Sequence, residues 1–146
     1  MKQELDEYLV NTFPKLFIER HMDATETCMC WGFECGDGWF NILNQLCQNI
    51  QHHIDWGNKQ GKNIPQVVVQ QVKEKFGTLR FYYQGGDEYI SGLVSMAEAM
   101  SGVMCEDCGA PGEPNNDGWI KTLCQVHQNE REEKRKAYAK ENGFEE

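Results

Sequence analysis

The stretch CEDCGAPGEPNNDGWIKTLCQVH, residues 105–127, places three cysteines and a histidine as C-x2-C, fifteen intervening residues and C-x2-H. Four soft or borderline donors at this spacing suit one tetrahedral ion, and zinc is the metal that most often takes such a set. Cys105 and Cys108 straddle a tight turn, and Gly109 supplies the residue that tolerates positive φ just after it. APGEPNNDG is turn material, and GWIKTL reads as a short strand leading into Cys124. Cys124 and His127 are three apart at the start of a helix, so they share a face. A knuckle, a short hairpin and two donors from a helix's first turn predict a treble-clef-like zinc module with Cys105, Cys108, Cys124 and His127 as ligands.

A Cys3His site with four protein donors leaves no coordination position for water or substrate. Zinc deaminases also need a Glu next to a liganding His in an H-x-E arrangement. Here Gln128 and Asn129 follow His127. The expected role of the metal is therefore structural.

The remaining cysteines, Cys28, Cys30, Cys35 and Cys47, complete an odd total of seven. Without the basic-then-apolar opening of a signal peptide, MKQELDEYLV points to the cytoplasm, where metal ligands and free thiols are expected rather than disulfides. The spacing of these four matches no zinc pattern, and they read as free thiols. The net charge is −9. Residues 1–60 carry 4 Lys/Arg against 9 Asp/Glu, and residues 105–146 carry 6 against 10. Such a chain repels phosphate backbones at long range, which argues against nucleic acid as the main partner. No apolar run is long enough to span a membrane.

Along the chain, residues 3–13 read as a short helix with Leu5, Tyr8, Leu9 and Phe13 on its apolar side. Residues 17–38 read as irregular, with a short strand at Met29–Phe33. In DGWFNILNQLCQNIQHHIDWG, Trp39, Ile42, Leu43, Leu46, Cys47, Ile50 and Ile54 recur at helical spacing. Asp37 is the expected N-cap and Gly57 the expected stop. Val67–Val72 and Thr78–Tyr83 predict a β-hairpin with its turn near Lys75–Gly77. Asp87 should cap a helix over 88–101, with Ile90, Leu93, Val94, Ala97 and Met100 inward. The charged segment after the metal stretch reads as a last, sparsely covered helix ending at Gly143. The expected fold class is α+β, with a helix and hairpin body over 1–104 and the zinc module plus final helix over 105–146.

Other candidate residues are weaker. His52, His53 and Asp55 are close in sequence, but adjacent helical positions point about 100° apart, so a polar helix face is the simpler reading. His21 with Asp23 is weaker still. Lys73, Lys75 and Arg80 form a local basic cluster beside Tyr82, and basic plus aromatic residues on a hairpin can bind a phosphate or a base. Alternation puts Arg80 and Tyr82 opposite Leu79 and Phe81.

Three segments, ECGDGWFNILNQLC, QVKEKFGTLRFYYQGGD and CEDCGAPG…GWIKTLCQVH, together resemble a group of small bacterial, prophage and phage proteins. That group carries CGxGW, VKEKFGxLRFY and CxxCGxPG…TLCxxH in this order; the Cys28-x-Cys30 pair lies outside the pattern. The resemblance implies a phage or prophage origin. It suggests an inhibitor or adaptor whose partner is a host, phage or defence protein. The resulting expectation is a non-enzymatic binding protein stabilised by Zn2+. A small-ligand or nucleic-acid module using the Lys73–Tyr83 hairpin and a zinc- or thiol-dependent enzyme are the alternatives.

Overall fold

The computed structural model of the protein describes residues 1–144. Its elements run α1 (Gln3–Thr12), β1 (Phe33–Glu34), α2 (Phe40–Lys59), β2 (Val68–Lys75), β3 (Thr78–Gln84), α3 (Glu88–Ser101), β4 (Glu113–Pro114), β5 (Thr122–Leu123) and α4 (Gln125–Glu141). The fold is mixed α+β, as expected, with four helices among the described residues.

The main sheet has the order β1-β2-β3, with β1 parallel and β3 antiparallel to β2. Phe76 and Gly77 form the β2–β3 turn, and both have positive φ, +53° and +80°. That is the handedness a two-residue hairpin turn requires. Opposite Tyr82 and Tyr83 the register slips, so Gln70 is an extra residue on β2. The bulge reconciles the sequence with the core. Val69 and Val72 are three apart and would face opposite ways in a regular strand, yet both are fully buried. With Leu79 and Phe81 they form the inner face of the sheet.

Helix α3 closes the outer edge of β3. Ser101 Oγ accepts from Leu79 N at 2.8 Å, and Glu98 Oε1 accepts from Phe81 N at 3.0 Å. Two edge donors that would otherwise invite another strand are thereby satisfied. Asp87 caps α3 as expected, its carboxylate accepting from Ile90 N at 3.1 Å. Of the expected inward residues, Ile90, Val94 and Ala97 are buried and Leu93 is half-buried, whereas Met100 is exposed. It points into a groove beside α2.

Several expected boundaries move. The strand expected at Met29–Phe33 is a 3-10 turn, Met29–Trp31, followed by β1 at Phe33–Glu34. Asp37 does not cap α2. It opens a 3-10 turn, Asp37–Trp39, and accepts a hydrogen bond from Lys2 N at 2.7 Å. Gly57 does not stop α2 either. A Cβ there would lie 2.5 Å from Ile64 Cδ1, so this glycine makes room for the returning chain, and Gly61 at φ +85° follows the helix end. α4 ends at Glu141, two residues before Gly143.

In α1 the buried side chains are Asp6 and Leu9, while Tyr8 is exposed. Asp6 faces inward because Arg20 comes to meet it, with Nε 3.0 Å from Oδ1. Arg20 also donates to the Cys30 carbonyl, and Phe33 N donates to Asp6 Oδ2. One ion pair thus fastens the irregular segment to α1.

The Asp87 cap has a second partner, His53 Nε2 at 2.8 Å, and the His53 ring stacks on Tyr89 at 4.2 Å. The bond from His53 holds the Asp87 carboxyl below its ordinary value, against a small opposing effect of burial. A depressed carboxylate stabilises the fold above the unfolded value of about 3.9, and that contribution is lost as pH falls through the lower folded value. Asp87→Ala is expected to cost about 1 kcal/mol at neutral pH. In urea titrations the gap between wild type and variant should narrow as pH falls below about 4.

Candidate metal centre

Backbone geometry brings the four expected donors together. The chain leaves α3 through a turn, and Gly109 N donates to the Cys105 carbonyl at 2.8 Å, closing the knuckle between Cys105 and Cys108. Gly109 has φ +80°, the conformation for which glycine was singled out. β4 and β5 form the short hairpin, pairing Glu113 with Leu123 and Pro114 with Thr122. Cys124 is the N-cap of α4, and His127 lies in its first turn.

The ligand atoms of Cys105, Cys108, Cys124 and His127 all lie within 4.8 Å of one another. Cys108 Sγ and Cys124 Sγ are 3.8 Å apart. His127 Nδ1 is 3.4 Å from Cys105 Sγ and 3.3 Å from Cys124 Sγ. Two thiolates about 2.3 Å from one zinc at tetrahedral angles sit about 3.8 Å apart, and a thiolate and an imidazole nitrogen about 3.5 Å. The spacing is therefore compatible with a metal ion at the centre of the four. The His127 backbone N–H aimed at Cys124 lowers that thiol below its ordinary value, whereas the Cys108 thiol is raised.

The module is sewn to the body along a seam. Gly38 N donates to the Glu106 carbonyl at 2.7 Å, and Gly36 N donates to the Glu106 carboxylate at 3.0 Å. The buried Trp39 indole donates to the Met104 carbonyl at 2.9 Å. Thr122 Oγ1 donates to the Gly77 carbonyl at 2.6 Å, which ties the hairpin turn to β5. A Cβ on Gly38 would lie 2.3 Å from the Cys105 carbonyl oxygen and 2.6 Å from Cys108 N. The glycine is required because the knuckle's backbone rests directly on it. Glu106 is buried beneath this seam, with Lys121 Nζ 3.8 Å from its Oε2. Burial pushes its carboxyl up, and Lys121 opposes that only in part.

The other candidates lie elsewhere. Among the described residues, Cys28, Cys30, Cys35 and Cys47 form no second donor cluster. Cys35 is pushed up to about 12 by burial, and Cys47 is raised further by the same cause, so both are poor nucleophiles. Cys30 Sγ lies 3.2 Å from the Thr27 carbonyl, and Cys28 is exposed. His52 stacks on Trp56, His53 bonds Asp87, and Asp55 neighbours Lys15. Asp23 is occupied by Thr25, and His21 is exposed. Lys73, Lys75, Arg80 and Tyr82 sit on the sheet, apart from the four donors.

Sequence reading missed the seam. Gly36 and Gly38 were its signal: two glycines directly before a long amphipathic helix, where neither a turn nor a cap requires both. No protein-family model, curated protein or solved structure matches this chain.

Gly38→Ala is expected to destabilise the fold by about 1–3 kcal/mol, because the knuckle backbone cannot retreat from the added methyl group. Gly92 lies inside α3 with open space around its Cα. Gly92→Ala should instead stabilise by about 0.5–1 kcal/mol. Urea denaturation of the two variants beside wild type checks both signs.

Proposed function

We propose that the chain is a small non-enzymatic binding protein, braced by one structural zinc ion, that docks on another protein. The supporting observation is a groove of about 310 Å3 between α2 and α3. Ile42, Leu46, Leu93, Met96, Ala97 and Met100 form most of its wall, and none of its lining residues is charged. This is notable in a chain of net charge −9, and α2 has no charged residue from Phe40 to Ile54. Met96 and Met100 are exposed. Methionine adapts its shape to a partner, and an apolar groove between helices suits the apolar stripe of an amphipathic helix. The occupant proposed is such a helix from a partner protein. The resemblance to prophage and phage proteins suggests a host or defence protein in the bacterial cytoplasm.

Zinc is the metal that fits. Three thiolates and an imidazole favour it over hard cations, and with four protein donors it braces the chain rather than activating water. The knuckle, short hairpin and helix start are of the treble-clef kind. In this role zinc contributes to folding, by about 10–16 kcal/mol in small finger peptides. A thiol enzyme gains no support from Cys35 or Cys47, whose thiols are buried and raised.

Protein purified without chelator should contain one zinc per chain by elemental analysis, and a content well below one contradicts the metal assignment. Tagged protein incubated with bacterial lysate should retain a partner that Met96→Lys and Met100→Lys lose, with unchanged circular dichroism. Retention of the same proteins by all three, or of none by wild type, contradicts the docking assignment.

A further inference from the structure

The side of the main sheet turned away from the core carries a like-charge pair. Lys73 on β2 and Arg80 on β3 are direct cross-strand partners. Their Cβ atoms are therefore about 4.5–5.5 Å apart on one face, a placement that costs stability. Neither has a carboxylate within 4.0 Å among the described residues. The one hydrogen bond from the Arg80 side chain runs to the Leu79 carbonyl, at 3.2 Å. Edge protection does not explain the pair. Lys73 lies on the central strand, and α3 already closes the edge of β3. A like-charge pair with no carboxylate in ion-pair contact, in a chain of net charge −9, points to an anion that belongs there.

The next row of the same face is Gln71 opposite Tyr82. Beside it opens a cleft of about 390 Å3, bounded by Tyr82, Gln71, Gln70 and Thr25 and by two carboxylates, Glu19 and Glu26, so it suits the uncharged base of a ligand and not its phosphate. The bulge at Gln70 shapes this wall. Tyr82 is 42% exposed, so its ring is available for stacking. The Thr25 and Thr27 hydroxyls donate to Asp23 and Glu19, so the amides of Gln70 and Gln71 supply the donors and acceptors that recognition of a heterocycle's edge requires. The cleft is large enough for a small ligand. On its other side, Lys73 has Glu34 of β1 as its sheet partner. Towards the turn the same face continues with exposed Lys75, opposite Thr78, so the cationic surface is three residues, bounded by Glu34: enough for one phosphate group and too short to track a polynucleotide.

We infer that this face binds a free nucleotide, with Lys73 and Arg80 on the phosphate and Tyr82 stacked on the base in the adjoining cleft. The site lies on the sheet's outer face and does not depend on the α2–α3 groove. Isothermal titration calorimetry with adenosine and guanosine monophosphate, inorganic phosphate and single-stranded oligothymidylates tests it. Saturable binding of one monophosphate per chain is expected. Arg80→Gln and Lys73→Gln should each weaken it about tenfold or more, the loss of a charge-assisted bond, with melting temperatures near that of wild type. Tyr82→Ala should weaken nucleotide binding and leave inorganic phosphate unaffected. Four results would overturn the assignment: no saturable binding of either nucleotide, no effect of Arg80→Gln and Lys73→Gln, inorganic phosphate binding as tightly as nucleotide, or affinity that grows with oligothymidylate length. The last would indicate a strand-binding surface instead.

Discussion

The hydrogen bond from Gly38 N to the Glu106 carbonyl, 2.7 Å long, lies where the two parts of the molecule meet. It requires the knuckle backbone to rest against a residue without a side chain, and it places Trp39 beneath the module at the start of α2. Trp39 is fully buried, so the first turn of the longest helix is packed against the chain that leads into the cysteine cluster. On the other side, Thr122 holds the β2–β3 turn through the Gly77 carbonyl. A metal at Cys105, Cys108, Cys124 and His127 would therefore fix more than the segment that carries it. It would set the position of a surface against which both α2 and the hairpin are registered.

Three separate stretches of the chain meet at this seam. The stretch CGDGW, residues 35–39, supplies Gly36, Gly38 and Trp39. The β2–β3 turn supplies Gly77, and the cysteine-bearing segment supplies Glu106 and Thr122. Residues far apart in sequence meet at one seam through bonds of 2.6–3.0 Å. These bonds make the seam a junction, and the α2–α3 groove and the outer face of the sheet lie outside it.

How far the sequence could be read follows the range of the forces involved. α2 and the β2–β3 hairpin were legible because their apolar residues repeat at helix and strand periods, and such repeats are local. The Asp87 cap was legible because it acts three residues away, on Ile90 N. The cysteine cluster was legible because coordination chemistry restricts both residue type and spacing. The segment between Pro14 and Gly32 was not. Its conformation rests on the Asp6–Arg20 pair and on the Val69 N to Leu16 carbonyl bond, both of them contacts between distant residues. Gly57 was misread as a helix stop because its real partner, Ile64, is visible only after the chain turns back. The seam was invisible for the same reason, since its bonds run from Gly36 and Gly38 to Glu106 and from Thr122 to Gly77.

Because the seam bonds run from the knuckle to Gly36 and Gly38, binding of a metal and docking of the body would be one event. Amide hydrogen exchange, measured on the metal-loaded protein and again after chelation, reads this coupling residue by residue. Chelation should remove protection from residues 105–127 and, at the same time, from Gly38 and from Gly36, whose amides bond to Glu106. The middle of α2 and the paired amides of β2 and β3 should remain protected, because their bonds do not cross the seam. Loss confined to residues 105–127, with Gly36 and Gly38 still protected, would show that the metal does not hold the seam.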